Sequence, residues 1–260
     1  MYRCYRRKVV LTRQPVPSFL QLAAHPLRWQ LLAVLSGSDY RVREMVTLVG
    51  ESQNLISYHL RLLRDGGLVR ATRSSFDGRD SYYHLDLDRC TQMLAGTGAA
   101  LHPTLGLNPT PSSFNPTTSL AVLFVCSGNS ARSAIAEALA HHHGNGRVDA
   151  ISAGTRPKPD MHPNTVRVLR DEFGIDISDR HPRHLGALAD RRFDTVVTVC
   201  DKAREVCPEF GDEARKIHWS IPDPATPVGT DDDTYPTFRA AATEIDTRIR
   251  YLLPILTAEP

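Results

Sequence analysis

Little in this chain would tie it to a membrane or to an oxidising compartment. It has no run of about 18 apolar residues, so no helix is expected to span a bilayer. The basic start, Met1 to Lys8, is not followed by the apolar stretch of a secretory leader. Only five cysteines, an odd number at uneven spacing, occur in 260 residues, which excludes a disulfide framework and points to a reducing cytoplasm. No large charge of one sign is present either, because the net charge is only +2. That balance hides an asymmetry. Met1 to Leu105 carries 14 Lys and Arg against 8 Asp and Glu, whereas Gly106 to Pro260 carries 17 against 21. A basic first part and an acidic second part imply that only the first meets nucleic acid. The length favours two domains, and an apolar fraction of 41% is enough for sizeable cores.

The first part, residues 1–101, reads as short helices followed by two strands. Apolar residues recur at helical spacing in Ser18 to Ala24 and Leu27 to Leu35, with Pro26 suited to a first helical turn. Val42 to Val49 is a third helix closed by Gly50, and Ser52 caps a fourth, Gln53 to Arg64, with the stripe Leu55, Ile56, Leu60 and Leu63. Two short helices joined through a glycine form a helix-turn-helix. Asp65-Gly66-Gly67-Leu68-Val69-Arg70 and Ser81-Tyr82-Tyr83-His84-Leu85 read as strands around a polar turn at Asp77-Gly78, a wing.

The phrases His25-Pro26-Leu27-Arg28, Ser57-Tyr58-His59-Leu60-Arg61-Leu62-Leu63 and Asp65-Gly66-Gly67-Leu68-Val69 resemble the ArsR-type winged-helix repressors over roughly residues 18 to 95. The resemblance implies a homodimer on operator DNA with the second helix of the motif in the major groove. Gln53, Asn54, Ser57, Tyr58 and His59 would face the bases, and Arg61, Arg73 and Arg79 the phosphates. Many arsenic-sensing members carry a Cys-x-Cys pair at the start of the third helix. Here the stretch is Tyr40-Arg41-Val42-Arg43-Glu44, and this module offers only Cys4 and Cys90 as thiols. Residues 102–118, with four prolines among Thr, Ser, Asn and Gly, read as a semi-stiff linker that leaves the modules independent.

Residues 119–260 alternate strand and helix, as a parallel α/β sheet requires. Leu120 to Val125 is a buried strand and Ser133 to Ala140 a helix, with Cys126, Ser127, Gly128, Asn129, Ser130, Ala131 and Arg132 between them. A loop entering a helix in this way turns backbone N–H groups inward as an oxyanion nest. The same field would hold Cys126 as a thiolate, Arg132 would fork onto two oxygens, Ser133 would donate to the sulfur, and Gly128 and Asn129 tolerate left-handed angles. Val148 to Ser152, Thr195 to Cys200 and the stretch from Ile217 read as further strands, and Asn164 to Phe173 and Thr237 to Leu253 as helices. The run His141-His142-His143 invites a metal reading but sits at a helix C-terminus, where cationic side chains are favoured anyway. Asp231-Asp232-Asp233 reads as a solvated loop.

The order strand, Cys126, Gly-Asn, Arg132-Ser133, helix resembles the phosphate-binding loop of the low-molecular-weight protein tyrosine phosphatase fold, which also carries one class of arsenate reductases. Ile221-Pro222-Asp223-Pro224 matches the position of that family's general acid, Asp223. Cys200 and Cys207, with His218-Trp219 and Asp223-Pro224-Ala225, resemble the thioredoxin-coupled arsenate reductases over about residues 120 to 255. Strand ends in such sheets face one crevice, so both thiols could reach Cys126. The resemblance implies a thiol relay of Cys126, Cys200 and Cys207, arsenate as substrate, no tightly bound cofactor, and thioredoxin or another thiol as reductant. Asn129, Glu137 and Ser152 match a potassium site of some members, but the basic stretch Arg180 to His184 stands where a fourth acidic ligand would be. The expected whole is a DNA-binding regulator fused to an arsenate reductase. A phosphatase tethered to DNA and a non-catalytic oxyanion or redox sensor are the alternatives.

Overall fold

The computed structural model describes residues 15–102, 105–106, 120–208 and 214–256. Cys4 and nearly all of the linker lie outside these residues. The first module contains α1 (Ser18–Ala23), α2 (Pro26–Leu35), β1 (Tyr40–Arg41), α3 (Val42–Val49), α4 (Gln53–Asp65), β2 (Val69–Arg73), β3 (Ser81–Leu85) and α5 (Leu87–Leu101). Gly50 ends α3 in the left-handed conformation, φ 78°, and the Ser52 hydroxyl accepts the Leu55 N–H at the start of α4. The strands form an antiparallel sheet in the order β1-β3-β2, the wing predicted from its turn. Leu31, Met45, Ile56, Leu60, Leu63 and Leu68 are fully buried and form the core.

Gln53, Asn54, Ser57, Tyr58 and Arg61 are exposed along α4, as a reading helix requires. His59 does not join them. It falls three residues after Ile56 on the inward stripe, is buried, and lies with its ring 4.4 Å from that of His25. Arg79 is exposed, and Arg73 is exposed while donating from Nε to the Gly78 carbonyl across the wing tip. Cys90 is half-buried with its thiol directed at the Leu68 carbonyl, 3.6 Å away, and burial pushes it up to about 11.

The second module contains β4 (Leu120–Cys126), α6 (Arg132–Gly144), β5 (Val148–Gly154), α7 (Pro163–Phe173), β6 (Thr195–Thr198), α8 (Asp201–Val206), β7 (Arg215–His218) and α9 (Asp231–Leu256). Its sheet is parallel throughout in the order β5-β4-β6-β7. β4 is central and apolar, with Leu123, Phe124 and Val125 buried, and its last residue, Cys126, pairs with Gly154. Asp231, Asp232 and Asp233 are not a loop but the first turn of α9. There they suit the positive end of the helix dipole, and Asp233 accepts from the Thr230 N–H and hydroxyl.

The modules are not independent. Asp39 donates its N–H to the His218 carbonyl at 2.9 Å, accepts the Ser220 N–H at 2.8 Å, and is ion-paired to Arg248 Nη1 at 2.8 Å. Both members of that pair are buried, at 2% and 6% exposure. Two desolvated charges tolerate burial only when each satisfies the other, so this seam is specific and closed. Arg248→Met therefore leaves a buried carboxylate uncompensated and should cost about 3 kcal/mol, read as a lower urea midpoint, with Asp39→Asn in the same chain recovering part of the loss.

Candidate active site

The site is the loop from Cys126 to Ala131, between β4 and α6. Four of its six carbonyls are engaged by the segment after β5. Thr155 N–H donates to Cys126 O, Arg156 N–H to Ser127 O, Lys158 N–H to Gly128 O, and His162 N–H to Ser130 O, at 2.8 to 3.1 Å. Carbonyls held outward leave the alternating N–H groups turned to the interior, where an oxyanion can take them. One of these amides, Asn129 N–H, lies 3.1 Å from Cys126 Sγ, and Ser133 Oγ lies 3.0 Å from it, as the Cys-to-Ser spacing predicts. Asn129 has φ 49°. Among the described residues Gly128 shows no positive φ, so Asn129 alone makes the left-handed turn that was expected of both. The Asn129 side chain stabilises it, donating to Ser133 and Ser152 and accepting Arg183 N–H.

Gly154 was not singled out from the sequence, yet the loop depends on it. A Cβ there would lie 2.7 Å from the Ser127 carbonyl. The Ala153-Gly154-Thr155 ending of a strand was the available signal.

Arg132 is buried, donating from Nη1 to Ile221 O at 3.0 Å and from Nη2 to Asp223 Oδ2 at 2.8 Å. The loop from β7 to α9 thus brings the predicted acid to the predicted cation. Arg156, Lys158 and Lys202 join Cys126, Arg132 and Asp223 around a cleft of about 520 Å³. A cationic mouth over an inward amide ring attracts and holds a small tetrahedral anion.

The two further thiols are placed unequally. Cys200 is the N-cap of α8, buried, with Sγ 3.4 Å from Ser127 Oγ in the Cys126 loop. Burial pushes its thiol up, against the lowering pull of Arg132. Cys207 is at the other end of α8, among Tyr40, Thr198, Arg204 and Lys216, away from the Cys126 cleft. Of the two thiols that could reach Cys126, only Cys200 stands at its loop in this structure, because residues 201–206 coil into a helix that carries Cys207 to the other end. Burial pushes the Cys207 thiol up to about 11.

The matched potassium residues form a polar knot instead. Glu137 accepts the Ser152 N–H and hydroxyl and pairs with Arg180 Nη1 at 2.7 Å, so a guanidinium stands at that carboxylate. The histidine run is also engaged, with His141 bonded to Ala150 O and His143 to Asp246. Among the described residues no three His, Cys, Asp or Glu side chains converge as a metal site.

A family of cysteine-dependent enzymes is defined by this loop on this sheet. Residues 121–259 match the low-molecular-weight phosphotyrosine protein phosphatase family, and the chain belongs to it. Residues 25–71 match the bacterial regulatory protein family of arsR type, so the first module is an ArsR-type helix-turn-helix. Within the larger family the chain is similar to arsenate reductases. One from Halalkalibacterium halodurans is 35% identical over half of this chain and 91% of its own length, and one from Bacillus subtilis is 32% identical over the same shares. The solved arsenate reductase of Archaeoglobus fulgidus is 31% identical over 51% of this chain and 98% of that one, with a TM-score of 0.42. No helix among the described residues is long and apolar enough to cross a membrane.

Asp201, the first residue of α8, has a measurable consequence. Burial alone would raise its carboxyl, but hydrogen bonds from His218, Ser75 and Ser220 outweigh burial and bring it down to about 2. A carboxyl lowered by folding stabilises the fold above its unfolded pKa and ceases to do so as pH falls toward 2. Acid unfolding between pH 4 and 2 should therefore be shallower in Asp201→Asn, which removes about 2 kcal/mol of pH-dependent stability.

Proposed function

We propose that this protein reduces arsenate to arsenite through a cysteine relay and carries a DNA-binding regulatory module on the same chain. The observation that carries the reductase reading is Cys200 Sγ poised 3.4 Å from Ser127 in the loop of Cys126. Hydrolysis of a phosphoester needs one thiol and water. Reduction of arsenate needs two electrons, which a second thiol at the first one's loop supplies.

Arsenate enters the amide ring, and Arg132 turns its fork from Asp223 toward the oxyanion. Cys126 attacks arsenic, and a hydroxyl leaves as water with a proton from Asp223, forming the arsenic–sulfur bond. Cys200 then attacks Cys126 Sγ. The electron pair of the arsenic–sulfur bond passes to arsenic, which leaves as arsenite, and a Cys126–Cys200 disulfide remains. Two thiols have been oxidised by two electrons and one arsenate reduced by two. Cys207 attacks Cys200, Cys126 departs as thiolate, and the Cys200–Cys207 disulfide goes to an external dithiol of thioredoxin type. The exposed Gln53, Asn54, Ser57, Tyr58 and Arg61 on α4 support operator binding, with Arg79 on the wing for phosphates, and the ArsR-type family match supports a homodimer.

The test is consumption of NADPH in the presence of arsenate, thioredoxin and thioredoxin reductase, run beside hydrolysis of p-nitrophenyl phosphate. Arsenate-dependent oxidation should be lost by at least about a thousandfold in Cys126→Ser, and multiple turnover should stop in Cys200→Ser and Cys207→Ser. Ester hydrolysis without arsenate turnover under thioredoxin or glutathione would instead make the protein a phosphatase.

A further inference from the structure

Helix α8 carries one relay cysteine at each end, and the first module grips it along its length. At its start, the N–H and hydroxyl of Ser75, in the wing tip, donate to Asp201 Oδ2 at 2.6 and 3.0 Å. In its last turn, Arg204 donates to Glu44 on α3 at 2.7 Å, and Glu205 accepts from Arg41 Nη1 at 3.1 Å. The guanidinium groups of Arg204 and Arg41 lie over the ring of Tyr82, 5.2 and 5.3 Å from its centroid. Tyr82 is fully buried on β3, and its ring also meets His218, which is bonded to Asp201. Three of the six side chains of α8 are therefore held by α3, β1, β3 and the wing.

Six residues form a stable helix only with help from their surroundings. Yet this helix has to open if its end thiols are to join. Seven helical steps separate Cys200 from Cys207 by about 10 Å, beyond the reach of a disulfide. In the relay step the Cys200–Cys207 bond forms as the Cys126–Cys200 bond breaks, with Cys126 leaving as thiolate, and α8 unwinds to permit it.

We propose that the DNA-binding module is the clamp that sets how readily α8 opens, with Ser75, Glu44, Arg41 and Tyr82 as positioning residues for the relay. This rests on the relay assigned above. Opening α8 frees the wing tip and the first helix of the helix-turn-helix. Coupling of this kind is reciprocal, so whatever draws the wing and α3 away eases the relay.

The full chain with Cys126→Ser tests the clamp without arsenate or thioredoxin, so failure of arsenate turnover and failure of the clamp are separate results. Iodoacetamide labelling, read by peptide mass spectrometry, follows the buried Cys200 and uses Cys90 on α5 as a monitor of general loosening. Adding Ser75→Ala and Glu44→Gln should speed labelling of Cys200 by about tenfold, the scale of one lost hydrogen bond to a charged group, while Cys90 is unchanged. No acceleration, or equal acceleration at both cysteines, overturns the proposal. A second measurement needs no change in the clamp. Oxidation of the Cys126→Ser chain by diamide joins Cys200 to Cys207, two electrons passing to diamide, and amide hydrogen exchange of residues 74–78 is compared before and after. Faster exchange there is expected, and unchanged exchange overturns the coupling.

Discussion

The catalytic loop can receive an anion only because its carbonyls are occupied elsewhere. A tight turn of peptide groups presents as many acceptors as donors, and an anion meets repulsion unless the acceptors face away. Here the segment after β5 takes the carbonyls of Cys126, Ser127, Gly128 and Ser130 through its own N–H groups. That requires β5 beside β4 in parallel register, with Gly154 opposite Cys126 and no side chain to push the strands apart. Asn129 turns left-handed to bring its amide to the sulfur and is fixed there by Ser133, Ser152 and Arg183.

Charge in the site follows from the same geometry. Arg132 is buried beneath the loop, and a buried guanidinium requires a counter-charge, which Asp223 supplies from a different loop. An incoming oxyanion is thus exchanged for a carboxylate rather than set against bare solvent. Glu137 and Arg180 repeat the principle behind the loop, where a cationic side chain satisfies a nearly buried carboxylate. Burial disfavours ionisation of Cys200 and Cys207, even though Cys200 Sγ accepts the Ala203 N–H at 3.3 Å.

The seam between modules is built from groups that do not tolerate being left alone. Asp39, Arg248, His218 and Asp201 are all buried, and the Asp39–Arg248 pair, the Ser220 N–H on Asp39 and the Ser75 N–H on Asp201 exist only with both modules in place. Such contacts contribute modest net stability but strong specificity, because each mispaired arrangement leaves a desolvated charge. The two modules consequently meet in one specific arrangement.

The helix-turn-helix, the wing, the alternating strands and helices and the loop from Cys126 to Ser133 were legible in the sequence, because each is specified by neighbours a few residues apart. Periodicity defines α4, glycine ends α3, and an apolar run leading into a polar loop and an alanine-rich helix defines the nest. His59 was misread because the inward stripe of α4 is wide enough to take it. The helix between Cys200 and Cys207 was missed because six residues carry too little periodic signal. What the sequence determined by itself was therefore the two modules, their family resemblances, the loop from Cys126 to Arg132, the loop of Asp223 and the pair of further cysteines. Tertiary structure alone decided that Asp223 pairs with Arg132, that Cys200 rather than Cys207 stands at the Cys126 loop, and that the wing closes on α8. Those contacts join residues 91, 73 and 126 positions apart, and no local pattern encodes a separation of that kind.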